Sequence, residues 1–85
     1  MEHLSAQQRS TVIDAIQTHL VHEPLKETRN RKPLRPNPIA PWELRIGALR
    51  VFYEAPTEPP NTVNILAVGI KARNKLLIAG QEIAL

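Results

Sequence analysis

The sequence contains no cysteine, which excludes a disulfide framework and a thiolate zinc site. It has no apolar run of about 18 residues and no cationic leader followed by an apolar stretch. Neither a membrane span nor a secretion signal is therefore visible, and a cytoplasmic location is expected. Glycine is scarce: Gly47, Gly69 and Gly80 are the only three, too far apart to form a glycine-rich phosphate loop. Ser5 and Ser10 have no nucleophile-elbow glycines around them, which argues against a serine hydrolase. His19 and His22 are three apart but lack a third ligand at suitable spacing, so they are expected at the surface. Neither a metal nor an organic cofactor is expected. A chain of 85 residues holds one domain with one modest core, which excludes a large multi-domain enzyme.

What is present is proline and positive charge, concentrated in one place. Residues 1–24 carry Arg9 against Glu2, Asp14 and Glu23, a net charge of −2. Residues 25–50 carry Lys26, Arg29, Arg31, Lys32, Arg35, Arg45 and Arg50 against Glu27 and Glu43, a net of +5. Residues 51–85 balance. A cationic middle third suits a polyanionic partner through direct attraction and counterion release, although such a run can also be a solvated surface. Within it, TRNRKPLRPNP interleaves Arg29, Arg31, Lys32 and Arg35 with three prolines. From Pro33 to Pro41 four prolines remove four backbone donors and fix four φ angles, so an extended arm of polyproline character is expected.

The periodicities around this arm predict an α+β fold. SAQQRSTVIDAIQTHL opens with Ser5 and Gln8 at capping-box spacing, and Val12, Ile13, Ile16 and Leu20 recur as one apolar stripe, so a helix starts here. Pro24 limits its extent. WELRIGALRVFYEA alternates on both sides of Gly47-Ala48, a pair that suits a two-residue II′ hairpin turn. That turn sets Ile46 opposite Leu49, Arg45 opposite Arg50, Leu44 opposite Val51, Glu43 opposite Phe52 and Trp42 opposite Tyr53. Trp42, Leu44, Ile46, Leu49, Val51 and Tyr53 then form the core face, and Glu43, Arg45, Arg50 and Phe52 the other. TVNILAVGI reads as a central strand buried on both faces. The tail from Lys71 to Leu85 fits either a short strand or a helical turn.

The hairpin register places two guanidinium groups opposite each other, an arrangement that costs about 0.2 to 1 kcal/mol unless something compensates. Glu43 on the same face would compensate internally, as part of a surface salt-bridge cluster. A bound phosphate would do so as well, because planar forks on a rigid sheet clamp phosphate oxygens. Phe52 on that face is expected to offer a surface for a stacked nucleobase.

The stretch ETRNRKPLRPNPIAPWELRIGALRVFYEA followed by NILAVGIKARNKLLIAGQEI closely resembles the RelE/ParE superfamily of bacterial type II toxins, in particular a RelE-like branch. LRPNP, WELRIG, RVFY and AVGIK are the most specific parts, and the resemblance covers nearly the whole chain. It implies one toxin domain over residues 1–85. The expected architecture is an N-terminal helix, a remnant of the family's helical hairpin, packed on a small twisted antiparallel sheet of three to four strands. It also implies a type II toxin-antitoxin toxin that inhibits translation as a ribosome-dependent mRNA endonuclease working without a metal. The implied partners are a cognate antitoxin protein, the ribosome and mRNA, with no membrane.

On this resemblance the catalytic candidates are Arg45, Arg50 and Lys71, with cations to stabilise the phosphorane charge as a ribose 2′-hydroxyl attacks its adjacent phosphate. The RNA-binding candidates are Arg29, Arg31, Lys32, Arg35, Phe52 and Arg73. Two positions depart from the family pattern. Where relatives have a C-terminal tyrosine that participates in proton transfer this chain has Leu77, which makes Glu43 the candidate replacement base. Relatives also begin with a β-strand before the residues matching Glu2-His3-Leu4, and that strand is expected to be missing here. Both departures keep open a binding protein without catalysis, either a degenerate toxin that engages its antitoxin or a ParE-like gyrase inhibitor.

Overall fold

The computed structural model describes residues 4–20, 24–58, 62–73, 75–79 and 81–83. His22, Gly80 and Glu2-His3 lie outside them. Helix α1 (Ala6–His19) is followed by six strands: β1 (Arg31–Pro33), β2 (Trp42–Ile46), β3 (Leu49–Glu54), β4 (Asn64–Ala72), β5 (Lys75–Ile78) and β6 (Gln81–Ile83). The strands form one antiparallel meander in sequence order. The α+β class is as expected, but the sheet has six strands rather than three to four. The two at the far end come from the tail, whose turns begin with Arg73 and Ala79 in the left-handed region (φ 57° and 53°). Neither residue type advertises such a turn.

Helix α1 begins where the sequence signals it. Ser5 Oγ accepts from the Gln8 N–H at 3.1 Å and Gln8 Oε1 accepts from the Ser5 N–H at 2.9 Å, so two orphan donors are satisfied reciprocally. Val12, Ala15 and Leu20 are buried and Ile16 packs beside them, while Ile13 lies outside the stripe and is exposed. At the other end the Arg31 guanidinium donates from Nη1 to the His19 carbonyl at 2.7 Å. A cation there satisfies a terminal acceptor and complements the helix dipole.

α1 packs on β2 and β3, where the alternation of side chains places Trp42, Leu44, Ile46, Leu49, Val51 and Tyr53 beneath it. Leu44, Val51 and Tyr53 are fully buried, and each contributes about 1.5 to 3 kcal/mol by leaving water. The Trp42 and Tyr53 rings lie 6.2 Å apart between centroids at 34°. Tyr53 donates its hydroxyl hydrogen to the Pro24 carbonyl, which ties the segment after the helix to the hairpin. Burial pushes the Tyr53 hydroxyl up to about 12, with Arg31 acting in the opposite sense.

Two expectations about neighbouring segments need correction. The proline-rich stretch is not a free extended arm. Arg31–Pro33 form the edge strand β1, where a proline is tolerated. The remainder folds around Asn37, whose Oδ1 accepts from the N–H groups of Ile39 (2.8 Å) and Ala40 (3.0 Å) while its Nδ2 donates to the carbonyls of Arg35 (2.7 Å) and Ala40 (2.9 Å). The Leu34 N–H donates to the Pro41 carbonyl at 2.8 Å and closes the loop. Nor is β4 buried on both faces. It is central in the sheet, but among its residues only Gly69 is buried, and Ile65 and Leu66 are 40% and 44% exposed. Leu66 is the extra residue of the irregularity between Phe52 and Tyr53, and Ile65, paired with Tyr53, adjoins it.

Candidate functional site: a paired-arginine face

The face of the sheet turned away from α1 carries Lys32, Glu43, Arg45, Arg50, Phe52 and Lys71, as strand alternation from the core residues requires. Arg45 and Arg50 are direct cross-strand partners beside the Gly47-Ala48 turn. Gly47 has φ +56°, the conformation a glycine accepts most readily at the first position of a II′ turn. Because the turn is tight, the register cannot slip without exchanging the arginines with Leu44 and Val51 in the core. The same apolar alternation that builds the core thus sets the two arginines on one face at directly paired positions.

Each arginine is held by the protein at one edge of its fork. Arg45 donates from Nε to Glu43 Oε1. Arg50 donates from Nη1 to the carbonyls of Gly47 at 2.7 Å and Leu49 at 2.9 Å. Among the described residues, the Arg45 side chain is 45% exposed and bonded only through Nε, whereas half-buried Arg50 is bonded through Nη1 at the tip of its fork and keeps Nε and Nη2 without a protein partner. The backbone of Arg45 is fixed from the other side by Asn30, whose carbonyl accepts from the Arg45 N–H at 2.7 Å and whose Nδ2 donates to the Arg45 carbonyl at 2.9 Å. The Lys71 N–H donates to the Ala48 carbonyl at 2.7 Å. That bond brings exposed Lys71 to the same end of the same face.

Other expected contacts are placed differently. Phe52 is fully buried and presents no ring to a nucleobase. Its position opposite Glu43 was read correctly, but packing on this face covers it. Glu43, the candidate base, is also buried at 5% exposure, with its carboxylate engaged by Arg45. Arg31 is not a surface contact of the arm; it points to the helix side, bonded to His19 and to Thr28 Oγ1 (3.4 Å). Lys32 stands on the open face opposite Glu43 and is half-buried. Arg29 and Arg35 are exposed, and exposed Arg73 sits in the β4–β5 turn. Leu77 pairs with Ile70 on the helix side, away from the arginines.

The role of Asn30 was not anticipated. Its signal is local: Thr28 Oγ1 accepts from the N–H groups of Asn30 (3.3 Å) and Arg31 (3.2 Å), a hydroxyl-closed turn. In the sequence that turn is hidden inside a run of cations.

Chemically, the arrangement supplies three cations at one end of a rigid hairpin with a buried counter-charge beneath one of them. Cations so arranged have the chemistry to bind an anionic oxygen cluster and to stabilise charge developing on it. Among the described residues the open face adds no exposed aromatic ring, since Phe52 and Tyr53 are buried and Trp42 lies on the core side. No protein-family model matches the chain, and neither a curated protein nor a solved structure does. No helix of the described residues is long and apolar enough to cross a membrane.

Proposed function

We propose that the protein is a RelE-like toxin of a type II toxin-antitoxin system, acting on messenger RNA at the ribosome through Arg45, Arg50 and Lys71. The observation that carries this reading is the cross-strand Arg45–Arg50 pair on the face that α1 leaves uncovered, each fork bonded to the protein at one nitrogen and keeping its others without a partner among the described residues. Two arginines at paired positions on one face supply donors for phosphodiester oxygens, and stabilising the phosphorane charge is the main electrostatic demand of attack by a 2′-hydroxyl. Exposed Arg29, Arg35 and Arg73, with Lys32, add phosphate contacts that orient RNA without reading its bases. The partner that restrains the toxin is an acidic, partly apolar protein that covers the exposed Ile65-Leu66 stretch and the cationic face.

Expression of the chain is expected to arrest growth, and extracts programmed with a defined message are expected to yield new 5′ ends within translated codons. Arg50→Ala should abolish both while leaving the fold intact. Arrest retained in that variant would remove the arginine pair from the mechanism.

A second reading is favoured by one observation. Leu77 lies on the opposite face from the arginines, so the position where relatives carry the proton-transferring tyrosine supplies neither a proton nor proximity. A protein that grips RNA, its antitoxin or gyrase without cleavage would inhibit translation or growth and leave messages uncut, which the same end-mapping distinguishes.

A further inference from the structure

We propose that Glu43 is the positioning residue of the arginine pair and not the base of a cleavage reaction; this rests on the reading of that pair as a phosphate site. Glu43 is 5% exposed on a face that no described helix covers, and its Oε1 already accepts from Arg45 Nε. A general base must come within hydrogen-bond reach of the proton it removes. A carboxylate that is 5% exposed, with Oε1 already bonded to Arg45, is poorly placed to reach a ribose hydroxyl. What the contact does instead is fix the fork. With Nε held by Glu43, the 45% exposed Arg45 side chain keeps Nη1 and Nη2 without a partner among the described residues, while the paired Arg50 is held through Nη1 by Gly47 and Leu49. Burial serves this role, because a carboxylate shielded from water keeps one partner and one geometry. The same carboxylate offsets the repulsion between facing cations while the site is empty.

The test uses the full chain labelled with nitrogen-15, with inorganic phosphate as probe and the Nε–H signals of Arg45 and Arg50 as readout. In the parent protein and in Glu43→Gln, which keeps an acceptor oxygen for Arg45, both signals should respond together to phosphate. In Glu43→Ala the Arg45 response should fall away, and phosphate affinity should drop about 10-fold, by analogy with the lower end of the loss when a residue that orients a metal ligand is removed. In the message-cleavage assay Glu43→Gln should retain most of the activity that Glu43→Ala loses. Joint response of both arginines in Glu43→Ala would overturn the positioning role. So would Glu43→Gln that binds phosphate like the parent yet loses cleavage as fully as Glu43→Ala, since that pattern marks a base. If Glu43→Ala fails to fold, Glu43→Gln alone decides against the parent: retained cleavage supports the positioning role, and cleavage abolished with phosphate binding intact overturns it. A parent protein whose arginines both ignore phosphate overturns the underlying phosphate-site reading, a failure distinct from the other two.

Discussion

The hairpin β2–β3 and the meander β4–β6 belong to one sheet but are built differently. β2 and β3 lie beneath α1, turn through a glycine, and bury Leu44, Val51, Phe52 and Tyr53 completely. Beyond them, β4 buries only Gly69 and the described residues of β5 and β6 reach half-burial at most. Two of their turns place side-chain-bearing residues in the left-handed region. Stability is therefore concentrated in the hairpin, and the arginine pair stands on that hairpin. A site that must hold two like charges together needs a frame stiff enough to resist their repulsion. The meander is pinned by close backbone contact: a Cβ at Gly69 would lie 2.7 Å from the Leu77 carbonyl oxygen and 2.9 Å from Ile78 Cγ1.

The comparison is broken most directly by truncating one leucine in each region. Leu44→Ala removes a fully buried side chain from the hairpin and should cost about 2 to 5 kcal/mol in chemical denaturation. Leu77→Ala, at a half-buried position of β5, should cost well under half of that. Equal losses would mean that the meander carries as much of the core as the hairpin. Next in size is Arg45→Ala. Unlike a typical surface cation it is paired with a buried carboxylate, and removing it leaves Glu43 without its bonded partner at a cost of about 1 to 3 kcal/mol, reduced to the extent that water or the facing Lys32 reaches the carboxylate. Glu43→Gln added to Arg45→Ala should recover most of that loss. Absence of recovery would show that the destabilisation does not pass through the carboxylate.

The hairpin was legible because two independent signals agreed, a glycine-led turn and period-two alternation. Together they gave every pair from Trp42–Tyr53 to Ile46–Leu49, and with them the facing arginines. The capping box at Ser5 and Gln8 was legible for the same reason, since a local motif carries its own partners. What failed depended on layers the chain does not announce locally. Ile65 and Leu66 read as buried because they are apolar, yet one short helix covers only part of a six-stranded sheet. Phe52 read as exposed because it shares a face with charged residues, yet the same row buries Glu43 as well. The proline arm read as extended from its φ restrictions, whereas Asn37 folds it through side-chain bonds that compositional reasoning cannot place. The tail remained ambiguous because Arg73 and Ala79 occupy conformations that glycine or asparagine would have signalled.

Tyr53 sharpens the comparison through pH. Its hydroxyl is held neutral in the fold with its pKa pushed up to about 12 from the ordinary 10.0, chiefly by burial. A group whose folded value is raised binds its proton more tightly when folded. Its contribution is fully present below the unfolded value and is lost as pH rises from about 10 towards 12. The loss attributable to Tyr53 should approach 2 kcal/mol in order of magnitude by the top of that window. Tyr53→Phe should flatten the decline in denaturation curves recorded across it, relative to the parent protein. A parallel decline in both proteins would mean that the alkaline loss does not arise from Tyr53.

The smallest effect is expected at the turn between β5 and β6. Ala79 has φ 53°, a region that costs a residue with a Cβ about 1 to 2 kcal/mol, while glycine occupies it without that penalty but loses more entropy on folding. Ala79→Gly should therefore stabilise by a few tenths to about 1 kcal/mol, the difference of the two terms. The substitution lies in the meander, so it should raise the unfolding midpoint slightly while leaving the arginine pair and its response to phosphate unchanged. A stabilisation accompanied by altered phosphate binding would show that strain in the meander reaches the hairpin. The two regions would then act as one mechanical unit, not as a rigid platform with a pinned extension.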